Sequence, residues 1–154
     1  MQRVWSTEEN IVHAECMLSS YKKFTGRDLL PNESGPLDAA RRLFDAPFVV
    51  LSHGVESDPV LNYGNDAALQ LWEMTWDEFT KTPSRLTAES PDREERARLL
   101  AGVALNGFIS DYSGVRISKR GTRFYIKSAT VWNLVNVYGE PCGQAATFSL
   151  WQKI

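Results

Sequence analysis

The chain has 154 residues, of which 43% are hydrophobic and 23% are charged, and its formal net charge is −2. This length and composition predict a single globular domain. A slightly acidic chain argues against nucleic-acid binding, because phosphate contacts normally require a basic excess. The N-terminus is too polar for a signal peptide, and no apolar run approaches the roughly 20 residues that span a bilayer. We therefore expect a cytoplasmic protein that binds neither nucleic acid nor a membrane.

The residues that most often form covalent or metal sites are few. The sequence contains two cysteines, Cys16 and Cys142, and two histidines, His13 and His53. The cysteines are far apart along the chain, without a CxxC spacing or a neighbouring histidine pair. This pattern predicts reduced thiols, no disulfide and no metal site.

The chain begins with a predicted helix from Thr7 to Phe24. Thr7 can cap it, acidic residues follow in the first turn, and the apolar periodicity ends near Gly26. A loop rich in Pro, Asn and Gly follows, up to Pro36. We divide the chain into an N-terminal helix and loop, residues 1–36, which pack on a domain formed by residues 37–154.

The first half of that domain is predicted to contain a hairpin between short helices. A helix over Leu37–Asp45 precedes the strands Phe48–Ser52 and Val60–Tyr63. Asn65 and Asp66 then begin a helix. A further helix follows, with a capping box formed by the hydroxyl of Thr75 and by Glu78.

The second half is predicted to be one longer helix and a three-stranded meander. Ser90 is a suitable N-cap and Pro91 a suitable first residue for a helix that ends at Asn106–Gly107. The predicted strands are Tyr112–Ser118, Thr122–Val135 and Gly143–Trp151.

Both faces of the long second strand of this meander carry apolar residues. Simple alternation places Phe124, Ile126, Trp132 and Leu134 on one face, and Tyr125, Ala129, Val131 and Val135 on the other. The outer face therefore needs a cover. We expect the N-terminal helix to provide it, and a second copy of the chain, in a homodimer, is the alternative.

The order of elements and several segments resemble a known fold. Two strands, short helices, a longer helix and three antiparallel strands is the order of the PAS fold. Val60–Trp72 resembles the PAS pattern of a strand, an Asn and small residues that open a helix. Trp76–Phe79 resembles the acidic dipeptide that follows in that pattern. Lys119–Phe124 resembles the PAS hairpin in which a basic-Gly turn precedes an aromatic strand. The resemblance implies an α+β fold with a five-stranded antiparallel sheet, central helices on one face and an N-terminal helical extension.

A closer resemblance, over about Ile11 to Phe148, is to the MEKHLA family of PAS-like domains. That family occurs as small bacterial proteins and at the C-terminus of plant class III homeodomain-leucine zipper factors. The six-letter string behind its name does not occur here. The resemblance implies a sensory or interaction role and supplies no catalytic residues. It is carried by Leu43–Gly54, Asn62–Asn65, Leu71–Glu73, Pro83–Glu89 and Val131–Asn133.

We predict that this domain binds a small apolar ligand or a protein partner. The candidate ligand-binding residues are Trp72, Phe124, Trp132, Asn133 and Gln144. Large amphipathic rings with a few polar contacts are typical of ligand pockets. The tryptophans could equally fill the space between helices and sheet, and both interpretations stay open.

Covalent photochemistry and haem binding are not expected. Light-sensing PAS domains use a cysteine in an Asn-Cys-Arg-Phe motif, and Ser84 stands where that thiol would be, in Pro83-Ser84-Arg85-Leu86. The helix that carries the haem ligand in other PAS domains, here Pro91–Asn106, contains no histidine. We predict no cofactor, with non-covalent flavin binding as the alternative that these residues leave open.

The alternative function is a small enzyme that acts on an apolar substrate in the same cavity. The sequence has no Gly-x-Ser-x-Gly motif and no glycine-rich phosphate loop, and we assign no catalytic residues. We expect structural roles for both histidines, with a capping or structural hydrogen bond for His53 at the end of its strand. An enzyme would instead place His53 close to a carboxylate or a serine.

Overall fold

A computed structural model describes residues 3–88 and 93–154 of the chain. Its helices are α1 (Glu8–Thr25), α2 (Pro36–Asp45), α3 (Asp66–Trp72), α4 (Trp76–Phe79) and α5 (Arg93–Asn106), with short 3-10 turns at Val4–Ser6 and Ser84–Thr87. Its strands are β1 (Val49–His53), β2 (Leu61–Gly64), β3 (Phe108–Ile117), β4 (Arg123–Val135), β5 (Pro141–Phe148) and β6 (Leu150–Lys153).

The strands form one antiparallel sheet in the order β2-β1-β5-β4-β3, and β6 also pairs with β4. The α+β prediction of such a sheet with helices is therefore confirmed. The single final strand predicted over Gly143–Trp151 is divided in two at Ser149. The interruption at Ser149 is slight, because β5 and β6 pair with β4 in one continuous register. Thr130 lies opposite Thr147 in β5, and Lys127 lies opposite Leu150 in β6.

The predicted helix ends are confirmed wherever the structure describes them. The hydroxyl of Thr7 accepts a hydrogen bond from the Asn10 amide at 3.2 Å, and Gly26 ends α1 with φ of 75°. Thr75 and Glu78 form the complete capping box of α4. The predicted cap at Ser90 and Pro91 lies outside the described residues. Local signals of this kind need only neighbouring residues, so they can be recognised in the sequence.

The predicted faces of β4 are wrong beyond Ser128. Ser128 has φ of 55°, and the pairing with β3 is irregular at the same level, where Asp111 has φ of 65°. An extra residue of this kind moves the rest of the strand to the opposite face. Consequently Phe124 and Ile126 lie in one buried cluster, whereas Trp132 and Leu134 lie in another.

These two clusters define the two faces of the sheet. We call the face that packs against α1 and α2 the outer face; it includes Val50, Trp132, Leu134 and Ala145. We call the face that packs against α3, α4 and α5 the inner face; it includes Val49, Phe124, Ala129 and Phe148. The prediction that the N-terminal helix covers the outer face is confirmed. The division of the chain at residue 36 stays a prediction. α1 and α2, which lie on either side of that boundary, pack in the same outer cluster.

Asn65 connects the elements at the start of the domain. Its side chain is fully buried, and its Oδ1 accepts hydrogen bonds from the amides of Val50 and Ala68 at 3.0 and 3.1 Å. Its Nδ2 donates to the carbonyls of Leu43 and Phe48 at 3.1 and 2.8 Å. All four hydrogen-bonding positions of the amide are used, so this one side chain fixes α2, β1 and α3 relative to one another.

Candidate ligand site on the inner face

Among the described residues, the centre of the inner face is incompletely covered. Ala146 lies in the middle of the sheet, paired with Leu51 on one side and Val131 on the other, and yet Ala146 and Leu51 are both partly exposed. We call the two rows of inner-face residues around them the inner strip. Its apolar row is Leu51, Ala146, Val131 and Ile109, and its polar row is His53, Gln144 and Asn133.

The polar row presents two amides that are weakly engaged. Gln144 Nε2 donates to Asn133 Oδ1 at 3.5 Å, and Asn133 Nδ2 donates to the Val103 carbonyl of α5 at 3.5 Å. Both distances exceed the range of roughly 2.7–3.2 Å that is usual for N–H···O bonds. Amides held this loosely can form shorter hydrogen bonds to a bound molecule. The structure therefore brings the predicted residues Asn133 and Gln144 together, beside α5.

Trp72 and Phe124 also meet, at the opposite end of the inner face. Their rings make an edge contact with centroids 5.1 Å apart, and both side chains are buried. The indole Nε1 of Trp72 donates to the Thr87 carbonyl at 3.3 Å, so its polar group is satisfied within the protein. These rings, with Phe148, form a closed aromatic wall next to the inner strip.

Trp132 does not join the other four predicted residues. It lies on the outer face, where its Nε1 donates to the Met17 carbonyl of α1 at 3.2 Å and its ring packs edge-on against Tyr21. The phase change at Ser128 is the physical reason. A ligand-binding role for the five residues stays a prediction, and the structure divides them among an amide pair, an aromatic wall and the outer core.

His53 completes the polar row, and its neighbour explains its orientation. Its Nδ1 donates to the Gly54 carbonyl at 2.8 Å, which confirms the structural hydrogen bond predicted for this strand end. Its place in the ladder, opposite Gln144, puts it at the inner strip. The alternation of Val49, Leu51 and His53 along β1 could have predicted that His53 shares the inner face with the other two residues.

His13, on the side of α1 that faces the sheet, is half-buried in a short polar network. Its Nε2 lies 2.8 Å from Ser52 Oγ, and the Ser52 hydroxyl donates to Asn62 Oδ1 at 2.6 Å. Because the serine has given its only hydrogen to Asn62, His13 acts as the donor to Ser52. Burial lowers the pKa of His13 to about 4, so the ring is neutral at physiological pH.

The two cysteines lie far apart along the chain but are adjacent in space. Cys16 Sγ on α1 lies 3.5 Å from Cys142 Sγ in β5, and both thiols are free. Cys16 also donates to the Val135 carbonyl at 3.3 Å. Burial, followed by the contact with Cys142, raises the pKa of Cys16 to about 11.

Other candidate sites are less developed. Within residues 3–88 and 93–154, no group of three or more His, Cys, Asp or Glu side chains could hold a metal ion. No helix in the described ranges is long and apolar enough to cross a membrane. An open cleft of about 400 Å³ lies between α1, the 28–35 loop and α2.

Comparison with solved structures places the fold in the PAS and light-oxygen-voltage class. A PAS domain from Colwellia psychrerythraea superposes with a TM-score of 0.61 at 11% identity, covering 75% of this chain and 92% of that one. The photo-excited blue-light photoreceptor Vivid gives 0.59 at 15% identity, covering 86% and 92%. An RNA-binding light-oxygen-voltage receptor gives 0.62 at 23% identity, and the match covers 77% of this chain but only 35% of that receptor. These identities are low, so the likeness concerns the fold.

The family follows from the sequence match. The family model described as the MEKHLA domain matches residues 11–153, which is nearly the whole chain. The protein belongs to the MEKHLA domain family, as the sequence segments predicted. A search of curated proteins gave no match.

Proposed function

We propose that this domain is a sensory or interaction module that holds a small, mostly apolar ligand against the inner strip. The observation that carries the proposal is the partial exposure of Ala146 and Leu51 at the centre of the sheet. Residues on the packed face of a central strand are normally buried, so the exposure marks space that the helices leave open.

The surroundings of this space support a ligand with one polar edge. An apolar floor of Leu51, Ala146 and Val131 would contact the body of the molecule, and the amides of Asn133 and Gln144 would bind its polar groups. Apolar walls with a few polar groups that fix orientation are typical of small-molecule sites. Trp72 and Phe124 would limit the depth of the site rather than stack directly on the ligand.

The hydrogen bonds of the histidines support binding rather than catalysis. His53 donates to a backbone carbonyl, and His13 donates to Ser52 instead of accepting its proton. Activation of a serine nucleophile requires the opposite direction of proton donation. Neither of these hydrogen bonds involves a carboxylate, which a catalytic histidine would need to orient its ring.

Native mass spectrometry of the purified protein, compared with its denatured mass, tests the proposal. We expect a non-covalent adduct, whose mass and absorbance identify the ligand class. An Ala146→Phe variant would fill the open space and should lose the adduct. A matched Gln152→Phe variant places the same ring on an exposed position of β6 and should keep it.

Two results would contradict ligand binding at this place. One is an adduct of equal occupancy in wild type and Ala146→Phe, which would move the ligand elsewhere. The other is a wild-type protein that carries no adduct and binds no apolar fluorescent dye, which would favour a module that docks a protein partner or a second copy of the chain.

A further inference from the structure

We propose that Cys16 and Cys142 form a reversible disulfide that fastens α1 to the sheet. The two sulfur atoms are 3.5 Å apart, although 126 residues separate them along the chain. A disulfide bond is about 2.05 Å long, so the sulfurs must approach by about 1.5 Å, which side-chain rotation can supply. This inference is independent of the proposed ligand, because the thiols lie at the junction of α1 and β5.

The backbones that carry the thiols are held in place by neighbouring contacts. On α1, Ser20 Oγ accepts a hydrogen bond from the Val135 amide at 3.0 Å, and the Met17 carbonyl accepts one from Trp132 at 3.2 Å. These contacts lie within one turn of Cys16 along the helix. Since α1 is already fixed against the sheet there, the bond would form without moving either element.

The backbone at Cys142 is constrained as well. The next residue, Gly143, has φ of 146°, and a Cβ atom built on it would clash with the His53 carbonyl oxygen. Only glycine permits this approach of β5 to β1. The close approach fixes the position of β5 beside Cys142, and so fixes the start of the strand under α1.

The chemistry requires a two-electron oxidant, and we take a low-molecular-weight disulfide. One protein thiolate attacks a sulfur of the small disulfide, forms a mixed disulfide and releases one small thiolate. The second protein thiolate then attacks the protein sulfur of that bond and releases the other small thiolate. In the net reaction two protein thiols become one disulfide, and the small disulfide becomes two thiols. Since burial raises the pKa of Cys16 to about 11, we expect Cys16 to react second.

The consequence would be a redox-dependent attachment of the N-terminal helix. In the reduced protein, α1 can open locally away from the outer face at the free-energy cost of its packing. In the oxidised protein the bond would hold α1 on β5 during every such opening. Reductant would restore the freely opening state, so the thiol pair would make the exposure of the outer face depend on redox conditions.

Oxidised glutathione applied to the native, folded chain of 154 residues tests the proposal. We expect the wild-type mass to fall by about 2 Da, with no glutathione retained and both thiols protected from alkylation. Amide hydrogen exchange in α1 should slow by roughly tenfold or more, and dithiothreitol should reverse every change. A Cys16→Ser variant cannot complete the second step and should retain one glutathione on Cys142.

Each remaining outcome would overturn the proposal. A wild-type protein that stays reduced while an unfolded control of the same sequence is oxidised would show that the native thiols cannot meet. A wild-type protein that retains glutathione would show that the second thiol does not attack. A disulfide between two chains would show the wrong pairing. Because these readouts concern the wild-type chain, they do not depend on whether a variant folds.

Discussion

The outer and inner faces of the sheet differ in how completely they are packed. On the outer face, Trp132 and Leu134 have no exposed surface, and α1 forms hydrogen bonds to β1 and β4 through His13, Ser20 and Met17. On the inner face, the central residues Leu51 and Ala146 remain partly exposed, and two amides have only long hydrogen bonds. This difference indicates that α1 contributes mainly stability. The more open centre of the inner face, among the described residues, is the place where we propose that a ligand binds.

Truncation of Trp132 should produce the largest effect and should test the outer face as a packing surface. Trp132→Ala removes a buried ring and its hydrogen bond to Met17, so we expect a loss of about 3–5 kcal/mol of unfolding free energy. Chemical denaturation measures it. Asn133→Ala, one residue along on the inner face, is the matched control and should cost less than about 1 kcal/mol. Equal losses would mean that the two faces are packed alike.

Acidification should weaken the outer face through His13. Its folded-state pKa of about 4 lies below the ordinary histidine value of 6.5, so the unfolded chain binds the proton more tightly. The contribution of neutral His13 to the free energy of unfolding is therefore fully present above pH 6.5, and it is lost as the pH falls towards 4. By linkage, this loss amounts to about 3 kcal/mol.

A variant separates this titration from that of the carboxylates. His13→Gln can still donate to Ser52 but cannot gain a proton, so its unfolding free energy should fall less steeply over the same pH range. Urea denaturation at a series of pH values gives both slopes. Parallel slopes for the two proteins would remove His13 as the cause.

Removal of one hydroxyl should stabilise the outer face. The Tyr63 hydroxyl is buried and has no hydrogen-bond partner in the described part of the chain, and burial, with the nearby Asp45, raises its pKa. Tyr63→Phe keeps the ring, which packs edge-on against Trp76, and removes the unsatisfied group. We expect a gain of about 1 kcal/mol, measured as a higher denaturation midpoint. A loss of stability would reveal a partner for this hydroxyl.

The sequence predicted what depends on neighbouring residues. The caps at Thr7 and Thr75, the end of α1 at Gly26 and the β1–β2 hairpin all follow from short-range chemistry. The family segments also included Asn65, whose buried side chain forms hydrogen bonds that connect α2, β1 and α3. These features determined the fold class and the order of the elements.

The rest depends on long-range geometry. Ser128 adopts a left-handed backbone conformation, which is uncommon for serine and could not be predicted from its residue type. Because of this conformation, Trp132 lies on the opposite face of the sheet from Phe124. The contact between Cys16 and Cys142 arises only when α1 lies on β5. The partial exposure of Ala146 depends on how the helices pack on the sheet, so it could not be predicted from an alanine in a strand.

Binding of an apolar fluorescent dye to wild type and to Ala146→Phe tests the central claim most directly. If the inner strip is the binding surface, the variant should bind the dye at least roughly tenfold more weakly, while its denaturation midpoint stays close to that of the wild type. Equal dye affinity in the two proteins, with both folded, would contradict a site at the centre of the inner face.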